Sequence, residues 1–192
     1  KEIYHHNGNA GLSIVETKVS DRSGLAIRKL TGDFKITPVS TSISNLELKT
    51  GNSELSGIIF ARYQSLQKLI EEPSKTVVKL QLTNTIICLD DLVFFKNDLL
   101  EQEIISKNRH RKNVINLMAE GTIDNLSIKD FSLQTGNSTS LSIVGNVNGL
   151  PDSEKLFLDI AANRIITTSS DINSFITLPE TINVPENIVL SG

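Results

Sequence analysis

The sequence predicts an all-β protein made of one curved antiparallel sheet, with one apolar face, one polar face and few short helical turns. Three observations predict this fold class. Apolar residues recur at every second position through most of the chain, which is typical of strands with one solvated face. Gly, Asn, Asp or Pro separates most of these segments, of which we count about eleven. Aliphatic residues, Asn, Ser and Thr are abundant, whereas aromatic residues make up 5% and Trp is absent.

The alternation places an apolar set at matching positions of the predicted strands. The early and middle strands carry Leu25, Ile27, Phe34, Ile36, Val78, Leu80 and Leu82. Because side chains two residues apart share a face, and because the strand pattern repeats, we expect one common apolar lining. Its predicted members are Leu46, Leu48, Leu126, Ile128, Phe131, Leu133, Leu141, Ile143, Leu156, Leu158 and Ile160.

One strand changes phase in the middle. The alternation runs through Leu126 and Ile128, then steps by one residue at Asp130 to continue at Phe131 and Leu133. A β-bulge or a turn between two strands produces such a step.

The phrase Thr-Gly-Asn-Ser occurs twice, at residues 50–53 and 135–138. "ISNLELK" precedes the first copy and "IDNLSIKDFSLQ" precedes the second, so both copies follow Ile-x-Asn-Leu-x-(Leu/Ile)-Lys. Gly-Asn after an alternating segment indicates a tight turn, because both residues tolerate positive φ. We predict a repeated strand–turn–strand unit at about residues 24–57 and 121–145, although two unrelated hairpins with the same turn chemistry remain the alternative.

Helical signals are few. Residues 60–75 favour a turn or two before Pro73, and Ser169–Asp171 could cap one helical turn. "LDDLVFF" is ambiguous between a strand and a short helix. Residues 99–113 are charged and predict a long loop, whose basic residues either face solvent or contact an anionic headgroup or phosphate. These basic residues are Lys107, Arg109, His110, Arg111 and Lys112.

Length and charge narrow the class of protein. The 192 residues suit one domain or two small ones, and we interpret residues 1–192 as a single β segment cut from a larger protein. The net charge of −3 does not favour nucleic-acid binding. No apolar run is long enough to span a bilayer, and we find no signal peptide. Cys88 is the single cysteine, and we expect it to be buried in a strand.

Catalytic patterns are absent from the sequence, so we predict no enzyme activity, no cofactor and no metal. His5, His6 and His110 lack further ligands at metal-site spacing. Asp90 and Asp91 are adjacent, so on a strand they would point to opposite faces rather than form an acid–base pair. There is no nucleophile elbow, P-loop or dinucleotide-binding glycine motif.

The remaining chemistry is the apolar face itself, which must be covered in one of two ways. A sheet folded on itself gives a closed sandwich with a dry core. A sheet curled into an open trough gives an aliphatic lining for lipid acyl chains. The alternation does not separate these two arrangements.

A family resemblance favours the trough. "GTIDNLSIKDFSLQTGNSTSLSIVGNVNGLPD", at residues 121–152, resembles the TamB family of the AsmA-like superfamily in the order of its strands, glycines and final Gly-Leu-Pro-Asp. "SGLAIRKLTGDFKIT", "NLELKTGNSEL" and "LPETINVPENIVLSG" are also similar to the family's strands. "IICLDDLVFF" is similar too, with Cys88 in place of a small polar residue. The likeness covers most of residues 23–192.

The resemblance implies an elongated, taco-shaped β-sheet with a continuous open hydrophobic groove. It implies a periplasmic location in a protein anchored in the inner membrane and reaching the outer membrane. The implied partners are phospholipid acyl chains and an outer-membrane assembly protein of the Omp85 class. The implied function is phospholipid movement between the two membranes in support of outer-membrane assembly.

Two other functions are compatible with the same pattern. One is a structural β-module that binds an outer-membrane assembly partner through an edge strand. The other is an exported adhesin-like or glycan-binding β-sandwich with Asn, Ser and Thr as sugar ligands. The scarcity of aromatic residues disfavours it, because sugars usually stack on Trp or Tyr and only Tyr4 and Tyr63 are available.

Overall fold

All strands in the described part of the chain lie in one open antiparallel sheet. The computed structural model describes residues 2–6, 8–20, 26–93, 103–177, 179 and 182–192. The sheet has 11 strands in chain order, and each strand pairs with the strands before and after it. The first and last strands do not pair with each other, so the sheet is not closed. The predicted all-β class, with a single antiparallel sheet and few short helices, is confirmed.

The strands are 5 to 12 residues long. In chain order they are β1 (Glu2–His6), β2 (Asn9–Ser20), β3 (Ala26–Thr37), β4 (Ser40–Lys49), β5 (Glu54–Arg62), β6 (Val77–Cys88), β7 (Lys112–Thr122), β8 (Asn125–Thr135), β9 (Thr139–Asn148), β10 (Phe157–Thr168) and β11 (Asn187–Ser191). The helices are α1 (Leu66–Glu71), α2 (Leu89–Val93), α3 (Glu103–Asn108) and α4 (Ser169–Phe175), with 3₁₀ turns at Pro73–Lys75 and Ser153–Lys155.

The short helices form where the sequence supplies caps. The Ser65 side chain accepts a hydrogen bond from the Lys68 amide at the start of α1, and the chain leaves α1 just before Pro73. Thr168 caps α4 in the same way through the Asp171 amide. Both helical turns were predicted, and the ambiguous "LDDLVFF" segment begins as helix α2.

The predicted long loop at residues 99–113 needs a correction. Glu103–Asn108 forms helix α3, and Lys112 already begins strand β7. The segment Glu-Ile-Ile-Ser-Lys-Asn contains neither Gly nor Pro and α3 contacts α4, so packing between the two helices overrides the charge-rich appearance of this stretch. Within the described part of that segment, only residues 109–111 connect helix to strand, and residues 99–102 lie outside it.

Several strands carry one extra residue relative to their neighbours. In β8, Ile128 pairs with Gly145 and Phe131 pairs with Ile143, so Lys129 and Asp130 together oppose Val144 alone. This bulge accounts for the predicted phase change at Asp130. Strands β4 and β6 have similar bulges, in which Asn45 (φ 52°) and Asn84 (φ 47°) adopt the left-handed conformation. Asn tolerates this conformation better than most residues.

The fully buried core is small. The apolar side chains buried in the described part of the chain are Leu46, Tyr63, Cys88 and Ala119. The total accessible surface is 12383 Å². A compact monomer of this mass would expose about 9,000 Å². The sheet therefore leaves much more surface accessible than a compact single domain does.

Candidate functional site

The candidate site is the apolar face of the sheet. Directly opposed residues of neighbouring antiparallel strands point to the same side, so the register assigns each side chain to a face. One cross-strand row runs Leu46, Gly57, Leu82, Leu117, Phe131, Ile143 and Ala162. A second row runs Ile59, Leu80, Ala119, Ile128, Gly145 and Ile160. Both rows are continuous from strand to strand and almost wholly aliphatic.

The structure brings ten of the eleven predicted lining residues to this apolar face. They are Leu46, Leu48, Leu126, Ile128, Phe131, Leu133, Leu141, Ile143, Leu158 and Ile160. The bulge in β8 keeps Phe131 and Leu133 on the same side as Leu126 and Ile128, because it absorbs one residue of the alternation. Leu156 precedes β10 and belongs to the connection after the 3₁₀ turn, where it is 44% exposed.

The apolar face is accessible. Most of its side chains are half-buried, and Leu158 and Ile160 are 50% and 45% exposed. Among the described helices, α2 contacts the end of β6, α4 contacts β10 and α3 contacts α4. The helices thus lie at strand ends, and in the part of the chain that the structure describes no second layer buries the face.

The opposite face is polar and carries its own side-chain ladder. Lys29 pairs with Glu47 at 2.6 Å, and Lys49 pairs with Glu54 at 2.7 Å, across β3, β4 and β5. Asn116 donates to the Ser132 hydroxyl at 3.0 Å between β7 and β8. These groups suit contact with water, so the two faces differ in chemistry along the strands.

Asp171 makes contacts at the side of the sheet where β4, β6, β8 and β10 end, which we call the turn rim. The turn rim contains both Thr-Gly-Asn-Ser turns and helices α2, α3 and α4. The Asp171 carboxylate, in the first turn of α4, accepts hydrogen bonds from the amides of Asn137 (3.1 Å) and Ser138 (2.8 Å) and from the Thr139 hydroxyl (2.8 Å). Its side chain is 2% exposed. Burial alone raises the pKa of Asp171, but these three donors outweigh burial and hold the pKa below its usual value.

Asp91 plays the same part at the first Thr-Gly-Asn-Ser turn. Its carboxylate accepts hydrogen bonds from the Thr50 hydroxyl and, at 3.2 Å, from the Asn52 side-chain amide. Burial raises the pKa of Asp91, and hydrogen bonds from the turn lower it by more, so the pKa lies below its usual value. Asp91 is the third residue of α2, as Asp171 is of α4. Each aspartate therefore ties a post-strand helix to a turn of the sheet.

A polar belt borders the apolar face at the turn rim. It consists of Asn113, Thr135, Thr139 and Thr167, which lie on the apolar side by register. Thr135 donates to the Asn113 side-chain oxygen at 2.6 Å, and the Thr139 and Thr167 hydroxyls are 2.9 Å apart. Aliphatic side chains thus give way to hydroxyl and amide groups at this end of the strands.

The basic stretch lies at the same rim. Arg109 Nε is 2.7 Å from an Asp90 carboxylate oxygen, and His110 contacts the other oxygen. Burial raises the pKa of Asp90, but Arg109 and His110 lower it below its usual value. The Arg111 guanidinium lies over the Phe175 ring, 4.7 Å from its centre. Asp90 and Asp91 therefore bind different partners.

The residue that sequence reasoning placed in a strand, Cys88, ends β6 and is 2% exposed. Burial raises the pKa of its thiol, which donates to the Arg109 carbonyl at 3.2 Å. Within the described ranges, no group of three or more His, Cys, Asp and Glu side chains could hold a metal ion. The longest helix described has seven residues, too few for a membrane-spanning segment.

Comparison with protein-family models, with curated proteins and with solved structures finds no match. The described part of the chain is an open, eleven-stranded antiparallel sheet with an accessible aliphatic face.

Sequence reasoning missed the pairing of Asp91 and Asp171 with the two turns. The contacts between Asp171 and the second turn join residues more than thirty positions apart, so no local pattern reveals them. A sequence signal for these contacts was nonetheless present. After each Thr-Gly-Asn-Ser phrase the chain forms two strands, and the second of these is followed by an aspartate, in "LDD" and in "SSD".

Proposed function

We propose that the apolar face lines an open groove that binds phospholipid acyl chains and lets them pass along the sheet, between the inner and outer membranes of a bacterial envelope. The observation that carries the proposal is the continuous aliphatic face, partly exposed across many strands and without a covering layer in the described chain. The resemblance to the TamB family supports the periplasmic setting, an inner-membrane anchor elsewhere in the parent protein, and an Omp85-class partner.

The chemistry of the lining suits a mobile lipid. Burying about ten methylenes of an acyl chain contributes roughly 8 kcal/mol before entropic losses. The face is aliphatic and the protein has no Trp. Contacts of this kind have no preferred direction, so an acyl chain gains nearly the same free energy at neighbouring rows. Binding without a fixed position is the property that passage along a groove requires.

Backbone features of the sheet support a groove rather than a flat surface. Bulges interrupt β4, β6 and β8, and bulges bend the strand that contains them. Gly57, Gly121 and Gly145 lie on the apolar face with φ from 138° to 157°. A Cβ at each would lie 2.1 to 2.4 Å from a carbonyl oxygen of the next strand. Bulges and glycine kinks are the devices by which sheets curve.

The test compares two neighbouring residues on opposite faces. Ile143 lies on the apolar face and Val144 on the polar face. The protein is purified and analysed by native mass spectrometry for bound phospholipid, and by crosslinking to a phospholipid with a photoactivatable acyl chain. We expect lipid on the wild type, and about a tenfold loss with Ile143→Asp.

The control is Val144→Asp, which adds the same charge to the other face. We expect this variant to keep its lipid, and both variants to stay folded because a charge on an open face remains hydrated. Absence of lipid from the folded wild type, or equal loss in both variants, would refute the groove. Unfolding of Ile143→Asp alone would indicate that the face is sealed.

A second candidate function follows from the first edge of the sheet. Strand β1 has no second neighbour among the described strands, and Ile3 and Tyr4 are 78% and 51% exposed. An unprotected edge is a template for strand addition. It favours the structural β-module that binds an outer-membrane assembly partner. A photocrosslinker at Ile3 with a purified Omp85-class protein tests this, and crosslinking no greater than from a probe at Ser42 on the polar face would exclude it.

A further inference from the structure

We infer that a bound phospholipid lies along β7–β10 with its phosphate at the turn rim beside Arg111 and its acyl chains pointing to the opposite rim. This inference rests on the proposed function and adds the orientation of the lipid. It follows from a difference in polarity between the two ends of the same strands.

At the turn rim, the apolar face ends in groups that suit a phosphate and an ester. The polar belt of Asn113, Thr135, Thr139 and Thr167 crosses four strands. Beside the belt, Arg111 Nη1 and Asp171 Oδ1 lie 2.9 Å and 2.7 Å from the position that a Cβ on Gly136 would take, so the guanidinium neighbours the Asp171 carboxylate. The Phe175 ring packs against one face of the guanidinium. A guanidinium carries five N–H donors, so contact with the ring and with Asp171 leaves donors for a phosphate.

At the opposite rim, the apolar face stays apolar to the end. Its last row is Gly121, Leu126, Val147 and Leu158. Leu156, which lies two residues before Leu158 in the connection, is 44% exposed. No polar belt crosses the same four strands here.

The charged residues at the two rims also favour a phosphate at the turn rim. The described residues at the opposite rim of β7–β10 include Asp124, Asp152 and Glu154 against one base, Lys155, which is 2.9 Å from Asp152. The start of β7 at the turn rim carries Arg109, Arg111 and Lys112, of which Arg109 pairs with Asp90 and Arg111 lies beside Asp171. These groups leave an excess of positive charge, whereas acidic groups are in excess at the opposite rim, so a phosphate is favoured at the turn rim.

The dimensions fit this orientation. From Leu141 to Val147 on β9 there are six residue steps, or about 20 Å of apolar strand. The acyl chains of one leaflet occupy about 15 Å, half of a hydrocarbon core of about 30 Å. A chain placed along the strand thus ends before the acidic rim while its phosphate reaches the belt.

The experiment uses two photoactivatable phospholipids, one with the reactive group on the headgroup and one with it at the end of an acyl chain. Crosslinked peptides of the full chain are mapped by mass spectrometry. We expect the headgroup probe to label residues 135–139 and 164–168 at least fivefold more than residues 121–128 and 147–158. We expect the acyl-end probe to show the reverse.

Variants of Arg111 identify the phosphate contact. Arg111→Gln should reduce headgroup labelling at the turn rim about tenfold while acyl-end labelling remains, and Arg111→Lys should largely restore it because the charge returns. The control is Arg109→Gln, whose side chain already pairs with Asp90 and should leave labelling unchanged. Equal loss in Arg111→Gln and Arg109→Gln would overturn the assignment of Arg111.

The remaining outcomes separate this inference from the function it rests on. Labelling that is reversed or evenly spread would overturn the orientation and leave the groove standing. Failure of both probes to label the protein would remove the groove as well. Inorganic phosphate at millimolar concentration should compete only with the headgroup probe at the turn rim, and displacement of both probes would assign the site to the free anion and overturn the orientation.

Discussion

Asp91 and Asp171 occupy equivalent positions in two parts of the sheet. Each is the third residue of a helix that directly follows a strand, and each carboxylate accepts hydrogen bonds from a Thr-Gly-Asn-Ser turn. The order strand, turn, strand, connection, strand and helix is the same for β4–α2 and for β8–α4. The two copies of the phrase therefore belong to two three-stranded parts in which an aspartate of the following helix holds the turn in the same way.

Replacing Asp171 should weaken the turn rim. Asp171→Asn removes the charge from a buried group with three donors, and we expect it to lower the free energy of unfolding by about 2–3 kcal/mol. Chemical denaturation measures this. Ser170→Ala, at the exposed neighbouring position, is the control and should stay within about 0.5 kcal/mol of the wild type. A loss below about 0.5 kcal/mol, the usual range of neutral surface changes, would show that the contact does not stabilise the fold.

The same carboxylates predict how stability depends on pH. The folded-state pKa values of Asp91 and Asp171 lie below the usual value for Asp, so the folded state binds these protons less well than the unfolded state. Their contribution is complete above the unfolded pKa of about 3.9 and is lost as the pH falls through the lower folded pKa. As the pH is lowered from about 6 to about 2, the midpoint temperature of thermal unfolding should decline less for Asp171→Asn than for the wild type. Parallel declines in the two proteins would contradict this assignment.

Position 145, on the apolar face, should tolerate only glycine without a loss of stability. Its φ is 148°, and a Cβ there would lie 2.2 Å from the Asp159 carbonyl oxygen. We expect Gly145→Ala to lower the free energy of unfolding by about 2–3 kcal/mol. Gly51, where a Cβ meets no atom within 4 Å, is the matched control. Gly51→Ala should leave stability unchanged or raise it by up to about 1 kcal/mol, and an equal loss at both positions would disprove the steric argument.

Two single-residue deletions in β8 should have opposite consequences. Deleting Lys129 removes the extra residue of the bulge, so Phe131 and Leu133 keep their face and the protein should fold with a small loss of stability. Deleting Ser132 leaves no residue between Phe131 and Leu133, which places Leu133 on the polar face. We expect that deletion to prevent cooperative unfolding in a denaturant titration. Similar behaviour of the two deletions would show that the register does not govern the apolar face.

The strands and their faces could be predicted because they depend on residues that are close together in the sequence. Alternation along each strand identifies the faces, and the step at Asp130 marks the bulge, since both depend on neighbours in sequence. Helices α2 and α3 were less predictable because each has at most six residues and is stabilised by contacts outside itself. The polar belt and the Asp171 contacts depend on strands that meet only after folding. Thr135, Thr139 and Thr167 therefore resemble ordinary polar strand ends in the sequence.

The small buried core also has a calorimetric consequence. The heat-capacity increase on unfolding reflects the apolar surface that becomes hydrated, and averages about 12–15 cal/mol/K per residue in compact proteins. Here much of that surface is already in contact with water in the folded state, with 12383 Å² accessible. The heat-capacity increase per residue should therefore fall below that average. Since the curvature of the stability curve depends on this quantity, the sheet should keep a nearly constant free energy of unfolding over a wide range of temperature.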